Sequence, residues 1–186
     1  MAALPKITLL AGLVLLAACR SDPIQFHTLT PAQMTGAARG NGAEIQIEGL
    51  SVPPQVDRPQ IVIRQGNSGL AILETDWWAA SLADELRSAL ADQLASNGPR
   101  QKVSVLLDVQ RFDSIPGQYA LIDVQWRLRS AGDAQSTMLS CHSTLQTPSG
   151  PTIDELVLAQ QANVKRLAAS ISQAANGTRK NCPAAS

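Results

Sequence analysis

Aromatic side chains are scarce in this chain, with two Phe, one Tyr and three Trp among 186 residues. Stacked bases or a large aromatic sugar platform are therefore poor expectations. Neither sign of charge is in excess: 15 Lys and Arg balance 15 Asp and Glu. No basic field therefore exists to gather phosphates. His27 and His142 are the only histidines, and neither has Cys, Asp or Glu at a metal-ligand spacing. No P-loop, Gly-x-Ser-x-Gly or Gly-x-Gly-x-x-Gly occurs, and no cofactor is expected. The longest apolar run falls short of the ~20 residues that a membrane-spanning helix requires.

That run is nonetheless informative. Ile7 to Ala18 is an apolar core preceded by Lys6 and closed by Leu16-Ala17-Ala18-Cys19. A positive residue, a short apolar stretch and small residues before a break are the parts of a secretory signal peptide. The Leu-Ala-Ala-Cys ending resembles the lipobox of bacterial lipoproteins. The resemblance implies cleavage before Cys19, diacylglyceration of its thiol and acylation of the new amine. One acyl chain anchors marginally and two or more anchor stably. Arg20 and Ser21 follow, not the Asp that retains enteric lipoproteins at the inner membrane, so sorting to the outer membrane is expected. The chain then divides into a signal peptide (1–18), a tether (19–24), one domain (25–176) and a tail (177–186).

With Cys19 acylated, Cys141 and Cys182 remain. Two cysteines in an exported domain pair as a disulfide more often than they stay free. The alternative is a buried Cys141 with a free Cys182 in the tail.

Further along, hydrophobic periodicity places the elements. Gln25 to Thr30 is β-prone and stopped by Pro31; Thr35 to Gly42 reads as a loop with an Asn41-Gly42 turn. Ala43 to Val52 alternates as a strand bent near Gly49. Gln60–Arg64 and Gly69–Glu74 form a hairpin. Thr75 or Asp76 caps a helix from Trp77 to Ser96, whose stripe is Trp78, Leu82, Leu86, Leu90 and Leu94, and Asn97-Gly98-Pro99 ends it. Lys102–Phe112 and Gln118–Leu128 are long strands joined through Pro116-Gly117, and Ser136–Leu145 is a third. Thr152 and Glu155 form a capping box for a last helix with Val157, Val164, Leu167 and Ile171 inward. The order predicts a single α+β domain, a mostly antiparallel sheet with two amphipathic helices packed on one face.

Several of these segments carry a resemblance. Pro54, Asp57, Arg58, Pro59 and Gln60, then Trp78, then Asp108 to Phe112, then Asp123, Trp126, Arg127 and Leu128 follow the pattern of the ABC-type transport auxiliary lipoprotein component family. Phe26-His27 stands where that family has two tyrosines. The match runs from Phe26 to about Leu145. It implies a non-enzymatic part of an envelope lipid-transport system, in which an ABC transporter and MCE-domain proteins move lipid between inner and outer membranes. The lipoprotein would dock the periplasmic end of an MCE assembly, and self-association as a ring would fit that role. A generic outer-membrane assembly or secretion-system lipoprotein is the alternative.

The residues themselves offer little catalytic chemistry. His142 beside Cys141 would point to the opposite strand face. Asp108 and Asp123 could approach one another as a glycosidase pair, but such carboxylates more often face water or pair with Arg111 and Arg127.

Overall fold

The computed structural model describes residues 22–32, 42–95, 102–130, 138–177 and 181–183. The signal peptide, Cys19, most of the Thr35–Gly42 loop and the Asn97-Gly98-Pro99 stop lie outside them. The strands are β1 (Gln25–His27), β2 (Glu44–Ser51), β3 (Gln60–Gln65), β4 (Gly69–Trp78), β5 (Lys102–Ile115), β6 (Tyr119–Ser130) and β7 (Leu139–Pro148); the helices are α1 (Leu82–Leu94) and α2 (Ile153–Asn176). This is the α+β domain that the element order predicts.

The strands divide into two sheets instead of one. A four-stranded sheet runs β2-β5-β6-β7 and a three-stranded sheet runs β1-β4-β3. Each has one parallel pair, β2 with β5 and β1 with β4, and the other pairs are antiparallel. Periodicity reveals which residues alternate, but not which strand becomes the neighbour, and both parallel pairs join strands distant in sequence. The expected bend in β2 is a register shift between Ile47 and Gly49.

Two hairpins close through three-residue turns, and each turn holds its glycine at positive φ: Gly66 at 58° and Gly117 at 75°. A side chain is strained there, whereas glycine is not.

β5 turns Val103, Val105, Leu107 and Val109 to the core, and β6 adds Ile122, Val124, Trp126 and Leu128. Both helices cover that face, with Leu82, Leu86 and Leu90 from α1 and Val164, Leu167 and Ile171 from α2. Trp126 is fully buried, and its indole N–H donates to Ser143 Oγ at 3.0 Å.

The α2 start matches expectation. Thr152 Oγ1 accepts from the Glu155 N–H, and the Glu155 carboxylate accepts from the Thr152 N–H. The α1 start does not. Ser81 is the cap, accepting from the Asp84 N–H, because Thr75 to Trp78 remain in β4. Pairing with β1 and a hydrogen bond from Trp78 N–H to the Pro59 carbonyl keep those residues extended. Aromatic and β-branched residues suit a strand as well as a helix, and the tertiary partners decide.

Candidate functional site

The corner nearest the expected anchor is built from β1. Only three residues long, it could not hold itself in place, and contacts from three directions hold it. Its register pairs Phe26 with Trp77 and His27 with Trp78. Neighbours along a strand face opposite sides, so these pairs look opposite ways. Trp78 is buried and stacks edge-on against Phe112, with centroids 6.4 Å apart. Phe26 and Trp77 face outward, also edge-to-face at 6.4 Å, and Phe26 is 66% exposed.

The inward side is polar and fully engaged. His27 Nε2 lies 3.1 Å from Asp76 Oδ1 and its Nδ1 lies 3.4 Å from Asp154. Just after β1, Glu85 of α1 accepts from the Thr28 hydroxyl and the Leu29 N–H, both at 2.8 Å. Gln161 of α2 donates to the Thr28 carbonyl at 2.9 Å, and the Ala79 N–H to the His27 carbonyl at 2.9 Å. These contacts tie β1 and the residues just after it to β4, α1 and α2 together. Glu85 is 6% exposed; its position on the polar-looking flank of a leucine stripe gave no sign of this role.

A second junction holds the two sheets together. Asp113 of β5 is 5% exposed, and Arg64 of β3 donates to it from Nε at 3.1 Å and Nη2 at 2.8 Å. Arg111 joins the same carboxylate, so it does not serve Asp108 or Asp123. On α2, the buried Gln160 donates to the Asp113 carbonyl and Ser114 Oγ, and the buried Asn163 donates to the Ala120 carbonyl.

Several motif residues turn out to have structural work. Asp57 accepts from the Ala83 N–H at 3.2 Å in the first turn of α1, where a carboxylate also favours the helix dipole. Asp108 accepts from Ser51 Oγ and Gln110, while Asp123 accepts from Thr144 Oγ1 and pairs with His142 Nε2 at 2.6 Å. Both carboxylates are thus engaged by their own neighbours. Thr144 donates to the carboxylate, not to the imidazole, so the set lacks the hydroxyl-to-base contact of a nucleophilic triad. Among the described residues, no three His, Cys, Asp or Glu side chains form a metal-binding group. His142 is exposed and Cys141 buried, on opposite faces of β7.

A groove of about 440 Å³ crosses the sheet face away from the helices, with Gly49, Leu50, Leu106, Asp108, Gln125 and Arg127 in its walls. Its lining mixes leucine with charge of both signs, and it is broad and open. No described helix is long and apolar enough to cross a membrane.

Cys141 and Cys182 are joined in the structure, with Cα atoms 5.5 Å apart. The link holds Cys182 beside β7, with its Sγ 3.2 Å from the Ser140 carbonyl oxygen. Cys19 precedes the first described residue, Asp22, by three positions.

Residues 27–172 match the model of the family described as ABC-type transport auxiliary lipoprotein component. Among solved structures, an uncharacterized protein aligns with a TM-score of 0.64 at 17% identity, over 82% of this chain and 98% of its own. A protein from Xanthomonas campestris of the family DUF330 aligns with a TM-score of 0.55 at 17% identity, over 81% of this chain and 90% of its own. At that identity the two likenesses concern the fold alone. None of the curated proteins compared with the chain matches it.

Proposed function

Because the chain belongs to the ABC-type transport auxiliary lipoprotein component family, we propose that it is the lipid-anchored, non-enzymatic accessory of an MCE-type lipid transporter. Its signal peptide, residues 1–18, is removed, and acylated Cys19 holds the domain at the periplasmic face of the outer membrane. There it docks the periplasmic end of an MCE-domain assembly, and copies of the domain associate as a ring around that end. The Cys141–Cys182 disulfide forms on export. The family match over residues 27–172 carries this reading, because it spans nearly the whole domain. The Leu-Ala-Ala-Cys ending and the Arg20-Ser21 that follows it support the anchor and its destination. The engaged state of His27, His142, Asp108 and Asp123 fits a scaffold better than a catalyst.

The test is an affinity pull-down of the tagged, lipidated protein from gently solubilised membranes, read by mass spectrometry, with Cys19→Ala as the unanchored control. Recovery of an MCE-domain protein is expected. Recovery of outer-membrane assembly or secretion components alone, at matched depth, would overturn the reading.

A further inference from the structure

We infer that the outward patch of Ile24, Phe26 and Trp77 rests against the phospholipid surface that holds Cys19, so that the domain is seated on the membrane in one orientation; this inference rests on the lipid-anchor reading above. Ile24 is 45% exposed and Phe26 66% exposed. Trp77 is half-buried, and Phe26 covers it edge-on. Trp77 spends its indole N–H on the Glu74 carbonyl at 2.9 Å. Its remaining surface is therefore carbon, and removing that surface from water strands no hydrogen bond. In a chain with six aromatic residues, two of them form this outward-facing pair.

The occupant follows from the length of chain between patch and anchor. Cys19 precedes Ile24 by five residues and Phe26 by seven. Even fully extended, those segments span at most about 18 and 25 Å. Acyl chains on Cys19 would keep the bilayer within that reach at all times, whereas a free partner must first diffuse to the patch. The tether supplies a high effective concentration of lipid surface, which lets a small apolar patch engage without much affinity of its own. Glu74 and Asp22 are exposed acids and Arg20 is a single base beside the anchor, so no net positive charge draws the patch to anionic lipid and a zwitterionic surface fits.

β1 is also rigidly tied. The hydrogen bonds of Thr28 and Leu29 to Glu85, and of Gln161 to Thr28, fix the patch relative to the whole domain. Seating these side chains would fix how the four-stranded sheet and its groove stand above the membrane.

Trp77 provides the readout, since Trp78 and Trp126 are 3% and 0% exposed. The mature chain, residues 19–186, is coupled through the Cys19 thiol to a maleimide lipid in phosphatidylcholine vesicles. Half the vesicles carry lipid brominated high on the acyl chain, and peptide mapping verifies the coupled residue. Bromolipid is expected to quench the wild-type emission. Trp77→Phe should lose that quenching, and Ile24→Ser with Phe26→Ser should lose most of it at unchanged circular dichroism. Equal emission in brominated and plain vesicles would overturn the inference. So would a blue shift that grows with protein density without quenching, which would mean that a second copy covers the patch. Acylation in cells is read separately, from the mass of the N-terminal peptide of the membrane-bound protein, so failure of the anchor and failure of the patch are distinguishable.

Discussion

Asp113 is the residue on which the joint between the two sheets turns. Its carboxylate is buried and takes both arginines, yet Arg64 and Arg111 keep 31% and 52% of their side chains exposed. Breaking a fully buried pair costs about 3–5 kcal/mol, but these guanidinium groups can return to water. Asp113→Ala should therefore cost about 2 kcal/mol, less than the buried limit and more than an exposed pair. Urea unfolding measures it; a loss below about 0.5 kcal/mol would place the cluster among ordinary surface pairs. Glu155 supplies a pH-dependent counterpart. The Thr152 hydroxyl, then the Thr152 N–H, hold its carboxyl below the ordinary glutamate value of 4.5. A carboxylate with a lowered folded pKa contributes stability that is present above 4.5 and lost as pH falls through the folded value. Thr152→Ala should flatten that acid limb, which melting curves between neutral and acid pH would show. An unchanged slope would mean that the capping box contributes nothing to it.

At the scale of an element, β1 is the informative case. A three-residue strand has no independent stability, and Glu85 of α1 supplies what its own length cannot. Glu85→Ala would leave the Leu29 N–H buried without its acceptor, at a cost of about 2 kcal/mol. The larger effect should be local: amides from Phe26 to Thr30 should exchange faster by hydrogen–deuterium exchange while the β5–β6 core stays protected. Uniform acceleration across the chain would mean that β1 and the core open as one unit. The helices contrast with each other. The capping box of α2 is written in adjacent residues and is visible in the sequence. The start of α1 depends on Pro59, β1 and Asp57, which lie outside the helix.

Across the whole molecule, the Cys141–Cys182 link would close a loop over α2. The chain-entropy relation assigns a loop of that size about 4 kcal/mol. Non-reduced peptide mapping of the exported protein should recover the linked pair, and Cys182→Ser should lower the unfolding midpoint. Two free thiols would show that the tail is not fastened to β7. The Phe26–Trp77 corner belongs to the three-stranded sheet, and the groove to the four-stranded one.

The leucine stripe of α1 from Leu82 to Leu94, the inward face of α2, the two hairpin turns and the α2 cap were legible in the sequence, because each depends on residues close together along the chain. The α+β class followed from their order. The split into two sheets, the two parallel pairings and the true start of α1 join segments distant in the chain, and folding alone brought them about. It alone also assigned the buried polar residues their work. Asp113 lies 49 residues from Arg64, and Glu85 lies 56 from Leu29. A carboxylate on such a segment looks like any solvated charge until folding brings its partner to it. Burial and partnership are properties of the assembled sheets and helices, and a local pattern does not contain them.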